Sequence, residues 1–290
     1  NSPITKSRPA MQCQTAPSGM QSNGQPGLRV LVLGFLGSDP ASIAEGGRIG
    51  QQLQLGIESY KNSEAKQSLW TEAKLLADGI HTDFSNCPVA SHDAARKVGL
   101  AQGVNFVVWG QVIPQGGRKQ KEFLIYPFVT STNWNALDSN PEKPYKDRYD
   151  PQFRLPKDII PIIDIILGLY AYEHRQYKVA MPYFKKSLRY ITGTDDAWRL
   201  LFIIEDAFFL SGEKEENKGI LQRIKTACAG NDLCLAHYWY TIGNRQWSQG
   251  ETELALNTFQ VQALPFAERT DEPSLKINIL MKIEIGRAHV

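Results

Sequence analysis

The sequence predicts an α/β domain followed by an all-α region: a small β-α-β-α-β-β unit, then an antiparallel array of helical hairpins. Three observations carry this. From Leu28 to Val129, short β-branched runs alternate with helical stretches. From Asp158 onward there is no strand pattern. Within that second part, a spacing of glycine, alanine and phenylalanine occurs twice.

Residues 1–27 are rich in Ser, Pro, Gln and Gly and poor in large apolar side chains. They cannot bury enough surface to offset the entropy of ordering, and a disordered tail is expected. The run "LRVLVLGF", Leu28–Phe35, is a buried strand by its continuous apolar character. "GSDPAS" then turns the chain into a helix on which Ile49, Leu53 and Ile57 share one face. A weaker strand is expected near Ala73–Ala77. "SHDAARKVGLAQG" is a capped helix, with Ser91 as N-cap and Gly99 or Gly103 near its end. "VNFVVWGQVI", Val104–Ile113, is the strongest strand, and "PQGGRKQ" returns it into "EFLIYPFV", Glu122–Val129, as a hairpin. The sheet is expected to be mostly parallel with an antiparallel edge. The domain is bounded at 28–130, a linker without periodicity occupies 131–157, and helices fill 158–284. The last six residues, "IGRAHV", resemble the translation of a sequencing adapter and are set apart as an artefact at 285–290.

Composition narrows the function classes. The chain has 290 residues, and its net charge of +2 comes from 32 basic against 30 acidic side chains. That gives no electrostatic footprint for nucleic acid. The longest apolar run, Asp158–Tyr172, is interrupted by Pro161 and Asp164 and is shorter than the roughly 20 residues that span a bilayer, so a buried helix is expected. Cys228 and Cys234 lie close enough to bridge a loop, although four cysteines make no disulfide framework and the expectation is two free thiols.

Catalytic signatures are missing from the sequence. Gly34 and Gly37, and later Gly46, Gly47 and Gly50, form neither GxGxxG nor GxxxxGK[ST]. Ser38 and Asp39 follow the first strand, where a parallel sheet offers a ligand crevice, but turn and cap roles suffice for them. His81 with Asp83, and His92 with Asp93, lack a further ligand at metal spacing. No GxSxG elbow surrounds any serine, and Cys87 has no base partner in sequence. No cofactor, metal or catalytic residue is expected.

In the helical part, Leu167-Gly168 is followed by Ala180 and Phe184. Ile242-Gly243 is followed at the same distances by Ala255 and Phe259, with Trp239 ahead. Aligning "SGE" at Ser211 with "QGE" at Gln249 adds a middle copy with Leu201, Ile204 and Leu221. In that copy Glu205 and Asn217 replace the two small residues, Asp164 replaces the first aromatic residue of copy one, and no proline closes the repeats. A fourth copy begins at Leu275–Met281. This skeleton resembles the tetratricopeptide repeat, W-x2-L-G-x2-Y…A-x3-F. The resemblance implies a groove, lined by the first helix of each copy, that holds a protein or peptide partner. It places Tyr172, Arg199, Phe202, Phe209, His237, Tyr240, Asn244 and Trp247 on that groove.

The N-terminal domain resembles the α/β module of TolB amino-terminal type. The matching residues are "RVLVLGF" at Arg29, "HDAARKVG" at His92 and "GVNFVVWGQV" at Gly103. The resemblance implies a bacterial recognition or assembly module without cofactor. The expected function is a non-enzymatic protein-protein interaction module or scaffold, cytoplasmic or periplasmic. The alternative is a sensor fragment of a larger signalling enzyme.

Overall fold

The computed structural model describes residues 28–67, 81–115, 122–132, 160–191 and 197–289. The described residues form two compact units, one of residues up to 132 together with 160–166, the other from Leu167 onward. The boundary falls inside a helix; the expected linker at 131–157, the N-terminal tail and the strand expected at Ala73–Ala77 lie almost wholly outside the described residues.

The first unit is built on a sheet. Its elements are β1 (Arg29–Leu33), β2 (Leu36–Gly37), α1 (Pro40–Gln67), β3 (His81–Ser85), α2 (His92–Gln102), β4 (Phe106–Gln115) and β5 (Glu122–Ser131). β1 pairs in parallel with β3, Arg29 opposite His81, and with β4, Val30 opposite Phe106. β2 adds a short parallel pairing of Leu36 with Gln111, and β5 runs antiparallel to β4 with Gly110 opposite Pro127. The two-residue β2, and a second strand at His81–Ser85, were not anticipated from the sequence. β3 carries polar residues along most of its length, so no apolar run announced it.

Val30, Leu31, Val32 and Leu33 are all buried, as a strand covered on both faces requires. Helix α1 lies against the end of β1 at backbone distance: Phe35 N–H donates to Gly46 O at 3.2 Å, and a Cβ on Gly46 would come within 2.1 Å of Phe35 O. A Cβ on Gly50 would meet Leu33 O at 2.9 Å. The glycines of α1 thus serve close helix-on-strand packing. Ser91 caps α2 by accepting from Ala94 N–H, and Gly103, at φ 62°, ends it. Leu31, Leu33, Val104, Val107 and Trp109 bury against Ala95 of α2. Each such side chain contributes about 1.5–3 kcal/mol by leaving water.

The rest is helical: α3 (Ile160–Glu173), α4 (Tyr177–Ser187), α5 (Ala197–Ser211), α6 (Lys214–Ala227), α7 (Asp232–Ser248) and α9 (Pro273–His289). Between α7 and α9 lies a composite helix, α8, formed by Thr252–Asn257, a π-helical stretch Thr258–Ala263, and Leu264–Ala267. Pro265 follows the wide turn at once and has no N–H to give, so the widening forfeits less backbone bonding there. Helix α9 continues through residues 285–289, and Gly286 is buried beside Leu256 and Trp247, so the structure carries these residues as part of the last helix. Among the described residues no helix is long and apolar enough to cross a membrane.

One turn recurs three times in this unit. Arg175 N–H donates to Tyr172 O and Gln176 N–H to Ala171 O, closing α3. Gly212 to Phe209 with Glu213 to Phe208 repeats the pattern after α5, and Gly250 to Trp247 with Glu251 to Gln246 repeats it after α7. The three central residues are left-handed, at φ 60°, 87° and 81°. Between α6 and α7, Cys228 and Cys234 are joined by a disulfide, and Cys87 of the first unit is disulfide-bonded too. The expectation of free thiols is corrected: Cys228 ends α6, Cys234 opens α7, and the turn between them brings their Cα atoms to 5.0 Å.

Candidate interaction surface

The recurring turn fixes a register for comparing helices. Counting back from Arg175, Gly212 and Gly250, the equivalent inward positions are Gly168, Glu205 and Gly243. At the first and third, no side chain is tolerated. A Cβ on Gly168 would lie 2.5 Å from the Phe184 ring, and one on Gly243 2.4 Å from the Phe259 ring. Ala180 and Ala255, both fully buried, complete these two contacts.

The middle position differs. Glu205 is 1% exposed, and Asn217, at the alanine position, donates to its backbone oxygen at 2.9 Å and its carboxylate at 3.0 Å. Arg245 of α7 closes the other side, with Nε to Glu205 Oε1 at 3.1 Å and Nη2 to Glu205 Oε2 at 2.8 Å. The same Nη2 reaches Asp206 at 2.7 Å, and Tyr172 donates its hydroxyl to Asp206 at 2.5 Å. The guanidinium lies over the Phe209 ring, 3.8 Å from its centre. Burial opposes the Arg245 charge, but Glu205 and Asp206 outweigh it and hold the guanidinium above its ordinary value. Burial pushes the Tyr172 phenol well up, and the Asp206 charge adds to the shift.

The eight residues placed on a groove divide into two groups. Phe202, His237 and Tyr240 are 3%, 1% and 3% exposed and belong to the interior. His237 stacks on Trp198 at 5.8 Å, Phe202 lies edge-on to it at 6.2 Å, and Tyr240 packs on Phe259 at 5.8 Å. These three are corrected to packing residues, because the inter-helix space they fill leaves them almost no solvent contact. Tyr172 is also buried, but its hydroxyl belongs to the charged network. Arg199, Phe209, Asn244 and Trp247 are half-buried and reach the surface. The Arg199 guanidinium lies 5.1 Å from the Trp198 ring centre, and its Nε is buried without a hydrogen-bond partner among the described residues.

Tyr172, Phe209 and Trp247 precede the three recurring turns by the same interval, so one aromatic ring stands at the same place before each turn. Arg245 covers the second ring and Lys282 stands 5.7 Å from the third. Asp206 and Arg245, partly exposed at 23% and 19% of their side chains, are polar members of this surface that sequence reasoning missed. Glu205 and Asn217 were visible as departures from the repeat, but nothing in sequence connected them to Arg245.

The crevice after β1 offers less. Asp39 caps α1 with its own carboxylate, accepting from Ala41 and Ser42 N–H at 2.9 and 3.0 Å. An anion at that helix end would meet this carboxylate. His81 and Asp83 lie in β3, while the side chains of His92 and Asp93 lie outside the description. Among the described residues no cluster of three or more His, Cys, Asp or Glu is placed to hold a metal ion. The chain matches no protein-family model, no curated protein and no solved structure.

Proposed function

We propose that this chain is a non-enzymatic bacterial interaction module whose helical part is a tetratricopeptide-like array of antiparallel hairpins that binds a protein or peptide partner. The observation that supports it most is the recurrence of one turn, with Arg175, Gly212 and Gly250 spaced by 37 and 38 residues, together with the glycine-phenylalanine contacts of the first and third copies. Arrays of this kind present one equivalent position per copy on a continuous surface. Here that position holds Tyr172, Phe209 and Trp247, of which Phe209 and Trp247 reach the surface, flanked by Asn244, Asp206 and Arg245. The N-terminal unit, with its resemblance to the TolB amino-terminal module, serves recognition or assembly.

Panning a displayed peptide library on the full chain tests this reading, with Trp247→Ala and Asn244→Ala as counter-screens. Peptides that bind the native chain and lose affinity for both variants support the array surface. A library that yields no binder, or binders indifferent to both substitutions, removes it.

A further inference from the structure

The three equivalent turns carry opposite charge. The first is His174-Arg175-Gln176-Tyr177-Lys178, the second Ser211-Gly212-Glu213-Lys214-Glu215, the third Gln249-Gly250-Glu251-Thr252-Glu253. In the second and third, each choice favours stability: glycine at the left-handed residue, and glutamate in the first turn of the following helix, where it meets the positive helix end. The first turn departs from both choices. Arg175 holds φ 60°, a conformation that side chains rarely adopt, and Lys178 stands in the first turn of α4, which has no acidic residue. The two departures have one property in common, an exposed positive charge, and local rules are broken together most often where a site is needed. Neither cation forms an ion pair among the described residues.

We infer that Arg175 and Lys178 form a docking point for a short acidic segment of the protein partner, an inference that rests on the array being a partner-binding module. The neighbouring turns favour a short segment over a polyanion. Glu213 and Glu215, then Glu251 and Glu253, occupy the equivalent places in copies two and three, so a nucleic acid or an anionic membrane spanning more than one turn meets repulsion. Two exposed cations on either side of Tyr177 in sequence suit two carboxylates.

The test uses the full chain, a fluorescent tri-glutamate peptide at low ionic strength, and the double variant Arg175→Gly, Lys178→Glu, which copies the residues of the other two turns at these two positions. The variant is expected to melt about 2–4 °C higher while binding the peptide about tenfold more weakly. A gain in stability without a loss of affinity overturns the proposal. So does a loss of affinity in a variant that melts at or below the native chain, since binding then failed through damage to the turn. Native chain that ignores the peptide, or that prefers a single-stranded oligonucleotide or phosphatidylserine vesicles, overturns it as well. Displayed peptides that are lost on Trp247→Ala but kept by the double variant leave the array reading intact and remove only the acidic dock.

Discussion

Phe259 fills the space that a side chain on Gly243 would occupy, its Cε1 standing 2.4 Å from where the Cβ would lie. Gly243→Ala is therefore expected to destabilise the chain by about 1–3 kcal/mol through overpacking. Adding Phe259→Leu, which copies Leu221 of the middle copy, recovers part of that loss. Urea unfolding of the two single variants and the double shows it as a double loss smaller than the sum of the single losses. Additive losses would mean that the ring and the glycine do not share one space.

Among the described residues, Arg245 is the cation placed against the buried Glu205 carboxylate. Arg245→Met leaves that charge uncompensated, and a loss of about 3–5 kcal/mol is expected. Glu205→Met together with Arg245→Met is expected to be less damaging than Arg245→Met alone, because no charge then stays buried. Chemical denaturation decides between this order and the reverse.

Gly212 and Gly250 hold φ 87° and 81°, and a Cβ on either would meet nothing within 4 Å. Any cost of alanine there is conformational rather than steric. Gly212→Ala and Gly250→Ala are each expected to lose about 1–2 kcal/mol, with near-native spectra and unchanged m-values. Changes below the error of the measurement would show that these turns relax out of the left-handed region.

The Tyr172 phenol has a folded pKa well above its unfolded value of about 10. A raised value favours the protonated fold, so the Tyr172 contribution is complete below about pH 10 and is lost as pH rises through the folded value. Stability is expected to fall in that alkaline window, and Tyr172→Phe, which has no proton to lose, is expected to flatten the fall. Parallel pH profiles for the two proteins would exclude Tyr172 as its source.

The Cys228–Cys234 bridge closes a ring of sequence separation 6 around the turn between α6 and α7. Replacing both cysteines by serine is expected to cost about 2 kcal/mol by releasing the unfolded chain. The serine variant should show faster amide exchange in the first turn of α7, where Asn231 caps by accepting from Cys234 N–H at 3.0 Å. Unchanged exchange there would confine the role of the bridge to the unfolded state.

What could be read in the sequence follows from where the signals are local. Val30 to Leu33 and Phe106 to Trp109 are continuous apolar runs, and their strands stand where the runs do. Ser91 and Gly103 bound α2 through hydrogen bonds made within a few residues. β3 escaped because His-Thr-Asp-Phe-Ser has no apolar pattern; it is held by pairing with β1, a contact remote in sequence. The surface was harder to read than the fold. Tyr240 and Trp247 occupy one helix at helical spacing and look alike in sequence, yet one packs on Phe259 inside while the other reaches solvent. The link from Arg245 to Glu205 spans 40 residues and three helices' worth of chain, beyond any local pattern.

The presence of Glu205 and Asn217, where the equivalent places around the other two turns hold glycine and alanine, also bears on which helices can pair. A glycine opposite a phenylalanine is a contact of shape alone, and Gly168 against Phe184 repeats the close approach of Gly243 against Phe259. Glu205 admits neither ring without stranding its charge, and only the helix bearing Asn217 and the helix bearing Arg245 satisfy it. The helices bearing Glu205, Asn217 and Arg245 are thereby matched by charge and hydrogen bonding, where those bearing Gly168 and Phe184, or Gly243 and Phe259, are matched by shape.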